Sequence, residues 1–176
     1  PIWTEYKEID KEVLEIFKIL EGKKRQAYLA GDCIRDHFLN RVPKDYDWAV
    51  DASQEELLEW IPNSSKNWFG VKVSAEGKVN MDIMPMMSCI EPFIRTDDII
   101  SDLKRRLDFT FSTMAYNPKT GFISLNNAKE DCLNKIMRLN KLPGMTDEDV
   151  ISSNPGVILK AINLNYRLGI EPSSML

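Results

Sequence analysis

Two aspartates stand two positions apart in the run "KDYDWAV", residues 44–50. Carboxylates are depleted in strands, and burying one without a partner is costly. Either that face is wet or the pair holds something positive. Side chains alternate along a strand, so Asp45 and Asp47 share one face while Tyr46 and Trp48 take the other. The two positions are roughly 7 Å apart along the strand, close enough for both carboxylates to touch ions in one site. In the later run "VNMDIM", Asp82 falls on the polar side with Asn80 and Met84. If the two strands are neighbours, three carboxylates converge, and such a trio repels itself unless cations are bound. Oxygen-only ligands favour Mg2+ or Mn2+. Two such ions serve in-line phosphoryl or nucleotidyl displacement. A solvated strand face would carry the same spacing without any chemistry.

The second candidate is the turn "LAGDCIRD", residues 29–36. A glycine between a strand and a helix lets backbone amides and the helix N-terminus face an anion. Arg35, one turn in, can reach a triphosphate. The plainer alternative is that Gly31 relieves a tight turn and Asp32 caps the helix.

These groups need elements to position them. Ile9, Val13, Ile16, Phe17 and Leu20 recur at helical spacing, and Gly22 stops that helix. "QAYLAG" reads as a buried strand, "DCIRDHFLN" as a helix, and "DYDWAV" as the next strand after Pro43. Ser53 and Glu56 form a capping-box pattern before a helix that Pro62 ends. "WFGVKVSA" and "KVNMDIM" predict a hairpin turning at Glu76-Gly77, followed by a mobile stretch from Pro85 to Asp102. "DFTFSTMAYNP" predicts a helix or helix-like segment, and "PKTGFIS" a turn into a short strand. Ser153, Asn154 and Pro155 predict a helix start. Val157, Ile158, Ala161, Ile162 and Leu168 fill that helix, and Gly169 closes it. The order predicts a small α/β or α+β layer with a helical region appended.

Composition narrows the classes. The 176 residues are 43 % apolar and 28 % charged, and no apolar run approaches a membrane span. Three widely spaced cysteines argue against a disulfide framework, and a single histidine, His37, makes a Cys/His zinc site improbable. His37 reads as a helix-surface residue, and Trp60 and Trp68 as packing residues. The "PIWTEYKEID" start is unlike a signal peptide, so a cytoplasmic protein is expected. The net charge of −4 excludes a general polyanion binder, although Lys23-Lys24-Arg25 and Lys104-Arg105-Arg106 could meet phosphate locally.

The stretch "YLAGDCIRDHFLNRVPKDYDWAV" resembles the opening of the bacterial tRNA CCA-adding enzyme and poly(A) polymerase family, with its G-G-x-V-R-D turn and D-x-D strand. "WFGVKV", "RRLDFTFSTMAYNPKTG", "KEDCLNKIMRL" and "SSNPGVILKAINLNYRLGIEP" resemble four further family segments, in the family's order. The resemblance implies an α+β fold. It would be a polymerase-β-like nucleotidyltransferase head at residues 1–140, a small mixed sheet flanked by helices, then the beginning of a helical neck at 141–176. It implies attack by an acceptor hydroxyl, an RNA 3′ end by family preference, on the α-phosphate of an NTP. Asp45 and Asp47 would hold two Mg2+ ions, and Asp82 would be the third catalytic carboxylate, as base or metal ligand. Gly31, Asp32, Arg35 and Arg106 would lie at the nucleotide, with Asn154 and Lys160 at the base-reading positions of the neck.

The chain departs from the pattern mostly in nucleotide recognition. Asp32 replaces a glycine and places a carboxylate where a triphosphate is expected. Leu107 stands between Arg106 and Asp108, and Ser112 takes the place of an asparagine. Of the neck positions Ser153, Asn154, Val157, Lys160 and Asn163, only Lys160 keeps a charge. Two alternatives therefore remain open. One is a catalytically impaired descendant that binds nucleotide, RNA or a protein. The other is NMP transfer to a small hydroxylated molecule.

Overall fold

The computed structural model describes residues 11–74, 80–86, 99–125 and 127–173. Its framework is a seven-stranded mixed sheet in the order β3-β4-β5-β2-β1-β6-β7. The strands are β1 (Ala27–Ala30), β2 (Asp45–Val50), β3 (Ser64–Lys66), β4 (Val71–Val73), β5 (Asn80–Pro85), β6 (Met114–Asn117) and β7 (Gly121–Ser124). Among the described residues of this sheet only β2 and β5 run parallel, and its other pairings are antiparallel. The parallel pair lies at the centre of the sheet and carries the aspartates.

The helices are α1 (Lys11–Gly22), α2 (Asp32–Phe38), α3 (Gln54–Trp60), α4 (Ile99–Arg106), α5 (Ala128–Leu133), α6 (Asp147–Ser153) and α7 (Gly156–Leu168). A short strand pair, β8 (Ile136–Met137) with β9 (Glu171–Pro172), ties the end of α7 back to the segment after α5. The chain is thus α+β, as its motif order predicts.

The two sheet faces differ in what covers them. On one face Tyr46, Trp48, Val50, Leu29, Ile83 and Tyr116 join the main core, and α1 closes over them with Val13, Ile16, Phe17 and Leu20. Phe17 packs on Trp48 with ring centroids 4.5 Å apart. Burying a side chain of this kind stabilises by roughly 1.5–3 kcal/mol. On the other face Ala30, Ala49 and Ala115 make a shallow patch on which Ile99 and Leu103 of α4 sit. Alternation puts Asp45, Asp47 and Asp82 on this second face, beside the patch that α4 covers.

Local chemistry accounts for most ends. Ser53 accepts from the Glu56 backbone N–H and Glu56 returns the bond, the expected capping box. Gly169 adopts φ 65° and closes α7. A side chain at Gly70 would collide with the Ile83 carbonyl, so a residue without Cβ is required where the β3–β4 connection crosses β5.

Several expectations change. Residues 108–118 are not helical beyond a single 3₁₀ turn at Thr110–Ser112. From Met114 the segment becomes β6, because β1 and β7 offer it partners on both sides. Ser153 ends α6 rather than opening a helix, and α7 starts after Pro155. Ile158 and Ile162 of α7 are exposed, while Val157, Ala161, Leu164 and Leu168 are buried. Asp32 is the first helical residue of α2, not its cap; Gly31 occupies the cap position. The Glu76-Gly77 turn and Ile9 lie outside the described residues, as does most of the stretch read as mobile. That stretch gives way to α4 at Ile99.

Candidate active site

The carboxylates are brought together by the β2–β5 ladder. Asp47 pairs with Asp82 in register, and Asp45 pairs with Asn80. All three acids line one open cleft of about 460 Å3. Asp45 is exposed, whereas Asp47 and Asp82 are half-buried. Two of the three are shifted by their surroundings. Burial, followed by the fields of Asp32, Asp82 and Asp45, pushes the Asp47 carboxyl up to about 7. Asp82 is also raised, mainly by burial and further by Asp45, with Lys72 across the ladder acting in the opposite sense. Behind Asp47 the Cys33 thiol is buried and raised far beyond its usual range, so it is inert.

Among the described residues, no three Cys, His, Asp or Glu side chains already form a group that could hold a metal ion. The donor set nevertheless fits a hard divalent cation. Asp45 and Asp47 would supply oxygen ligands from one strand face, and such an ion would relieve the fields of Asp32, Asp82 and Asp45 that raise Asp47. Water or phosphate oxygens would complete such a site, as is usual for Mg2+.

Gly31 makes the elbow between β1 and α2. Its φ of 71° and ψ of −124° suit glycine. Its N–H donates to the Met114 carbonyl at 3.0 Å, and its carbonyl accepts from Ile34 and Arg35. The Leu107 side chain lies against this elbow, about 3.5 Å from where a Cβ would stand. One turn on, Arg35 is only 4 % exposed and is held by two acids. Its Nη1 donates to Asp32 at 2.9 Å, and its Nη2 to Asp36 at 2.8 Å. Asp32 is therefore not a bare charge at the helix end but a partner of Arg35.

Arg106 does not line the cleft. It pairs with Asp102 at 2.9 Å and donates to the Pro85 carbonyl. Asn154 and Lys160 also lie outside the lining residues. Both converge on Asp108, at 3.3 and 2.8 Å.

The cleft holds residues that the motifs did not single out. Asp36, Arg41 and Lys44 come from α2 and the loop before β2, and Arg167 from the last turn of α7. Arg41 and Lys44 flank Pro43 directly ahead of the D-x-D strand, which was a usable signal. Arg167 has none in the local sequence. The basic cluster around Lys23 instead lies on Trp60, with Lys23 and Arg25 over its ring and Arg25 paired to Glu56 at 2.6 Å. Trp68, expected to pack, is 93 % exposed. His37 stacks on Phe122 and is half-buried.

The family profile described as the poly A polymerase head domain matches residues 27–138. The chain belongs to that family. It is 28 % identical over 134 residues to the CC-adding tRNA nucleotidyltransferase of Halalkalibacterium halodurans, a match covering 74 % of this chain and 33 % of that protein. The fold is similar to the apo form I of a CCA-adding enzyme, with a TM-score of 0.78 and 22 % identity over 97 % of this chain and 42 % of the other. It is also similar to the Bacillus stearothermophilus CCA-adding enzyme in complex with CTP, with a TM-score of 0.75 and 22 % identity over 94 % and 42 %. The chain thus spans about a third of the length of the curated relatives it matches.

Proposed function

We propose that this poly A polymerase head domain is a metal-dependent nucleotidyltransferase that moves an NMP from an NTP to an acceptor hydroxyl, most naturally an RNA 3′ end in the cytoplasm. In this proposal residues 1–140 are the catalytic head and residues 141–176 begin a helical neck. The observation that carries it is the Asp47–Asp82 register pair, with Asp45 beside it, in an open cleft where burial and neighbouring acids raise Asp47.

Asp45 and Asp47 would hold the Mg2+ ions, whose contribution is to neutralise charge developing on the phosphates. Asp82, raised by burial, is suited to take the proton of the attacking hydroxyl. That hydroxyl forms a bond to the α-phosphorus, and pyrophosphate leaves with the electron pair of the broken bond. The Gly31 elbow presents the start of α2 to the same cleft. The names of the relatives, a tRNA nucleotidyltransferase and an enzyme in complex with CTP, support an RNA acceptor and an NTP donor.

A catalytically impaired binder is the second reading, favoured by one observation: Asp32 and Asp36 already neutralise Arg35. Labelled NTPs, Mg2+ and mixed RNA separate the two. Extension of RNA is expected from the unaltered protein, with a loss of at least about 100-fold in Asp45→Asn and Asp82→Asn. Asp45 is exposed, so its variant should melt like the parent, and Asp82→Asn should not melt lower, because burial already disfavours that carboxylate. Undiminished extension in both variants would refute the assignment.

A further inference from the structure

The resemblance places Arg35 and Arg106 at the nucleotide, yet each is already held by acid. Arg35 is pinned between Asp32 and Asp36, and Arg106 is paired with Asp102 outside the cleft lining. The cleft has a second set of cations. Arg41 and Lys44 project from the loop ahead of β2, and Arg167 from the end of α7. All three are exposed and line the same cleft as the carboxylates.

None of the three is ion-paired among the described residues. Arg41 donates to the backbone carbonyl of Arg167 at 3.2 Å, and Arg167 to the side-chain oxygen of Asn163 at 3.4 Å, both neutral acceptors. The cleft therefore holds two kinds of charge. Asp32 and Asp36 of α2 are taken by Arg35, whereas the sheet carboxylates share the cleft with cations of the loop and the helix end that have no ion pair among the described residues.

We infer that Arg41, Lys44 and Arg167 form the wall that grips the triphosphate, an assignment that rests on the nucleotidyltransferase reading. A metal-bound triphosphate carries both signs, with its cation drawn to the acids and its phosphate oxygens to the bases. Guanidinium forks suit phosphate oxygens, and the lysine adds a compact charge. One feature of α7 would otherwise oppose this. A helix C-terminus leaves carbonyls unpaired and carries partial negative charge. Arg41 covers one of those carbonyls and so removes part of the repulsion. The same contact links the nucleotide wall to α7, so phosphate binding bridges the sheet domain and the last helix.

Calorimetric titration of the full chain tests this, with inorganic tripolyphosphate and ATP as probes in the presence of Mg2+. Lys44→Met and Arg167→Met are the informative variants, because Arg41 also covers the helix end. Each should weaken binding of both probes by about three- to tenfold, and the double variant further. Lys18→Met, an exposed charge on α1, should leave binding unchanged. Unchanged affinity in both cleft variants would overturn the wall while nucleotidyl transfer still stood. An unaltered protein that binds no triphosphate would overturn both. A short single-stranded RNA serves as third probe. If the variants lose RNA but keep tripolyphosphate, the wall receives the acceptor and the inference fails.

Discussion

Replacing Asp47 by asparagine should make the metal-free protein more stable at pH 8 while abolishing the proposed nucleotidyl transfer. In the native state burial and three neighbouring acids raise this carboxyl from 3.8 to about 7. At about 1.36 kcal/mol per pH unit of difference, the native carboxylate costs roughly 4 kcal/mol. Solvent in the open cleft screens part of that field, which leaves about 2–3 kcal/mol. The sign follows from linkage. The native state holds the proton more tightly than the unfolded chain, so the contribution to stability is fully present below pH 3.8. It is lost as pH rises through about 7. The asparagine variant lacks this slope. At about 2–4 °C per kcal/mol for a domain of this size, its melting temperature at pH 8 in chelator should exceed that of the parent by roughly 5–10 °C. The gap should narrow toward pH 5. Millimolar Mg2+ should close it by stabilising the parent alone. Thermal and urea denaturation at pH 5, 6 and 8, with and without Mg2+, measure all of this. A variant no more stable than the parent at pH 8 in chelator would show that the carboxylates do not strain the fold, and the electrostatic case for the site would fall.

Gly31→Ala should cost about 1–3 kcal/mol, because an L side chain rarely adopts φ 71° although Leu107 leaves room for a methyl group. A loss below about 0.5 kcal/mol in urea melts would mean that the elbow relaxes freely. Asp32→Asn removes one partner of Arg35 and the largest of the neighbouring charges that raise Asp47. Tripolyphosphate should then bind about three- to tenfold tighter, with the Asp47 carboxyl falling toward its ordinary range. Unchanged affinity would place Asp32 away from the phosphates.

Much of the framework was legible because it rests on short-range rules. The strand–glycine–helix turn, the D-x-D alternation and the Ser53 capping box each depend on residues within a few positions of one another. Strand β6 was not legible as a strand. "MAYN" follows a 3₁₀ turn and carries no polar alternation, since β1, β7 and the core bury its first three residues. The apolar reading of α7 failed at Ile158 and Ile162 for a related reason. Helical periodicity selects an apolar stripe, but it does not say which part of a wide stripe finds a partner.

The sequence by itself determined that Asp45 and Asp47 share a face, because a strand alternates whatever surrounds it. It also determined that a glycine bend precedes them and that oxygen donors predominate over His and Cys. Tertiary structure alone decided that Asp82 stands beside Asp47, since strand pairing is a long-range choice. It decided too that Arg41, Lys44 and Arg167 meet at one cleft without an ion pair among the described residues, whereas Arg35 is held by Asp32 and Asp36 of its own helix. Charges compete for partners in space, and Arg167 lies 126 residues along the chain from the arginine that touches it.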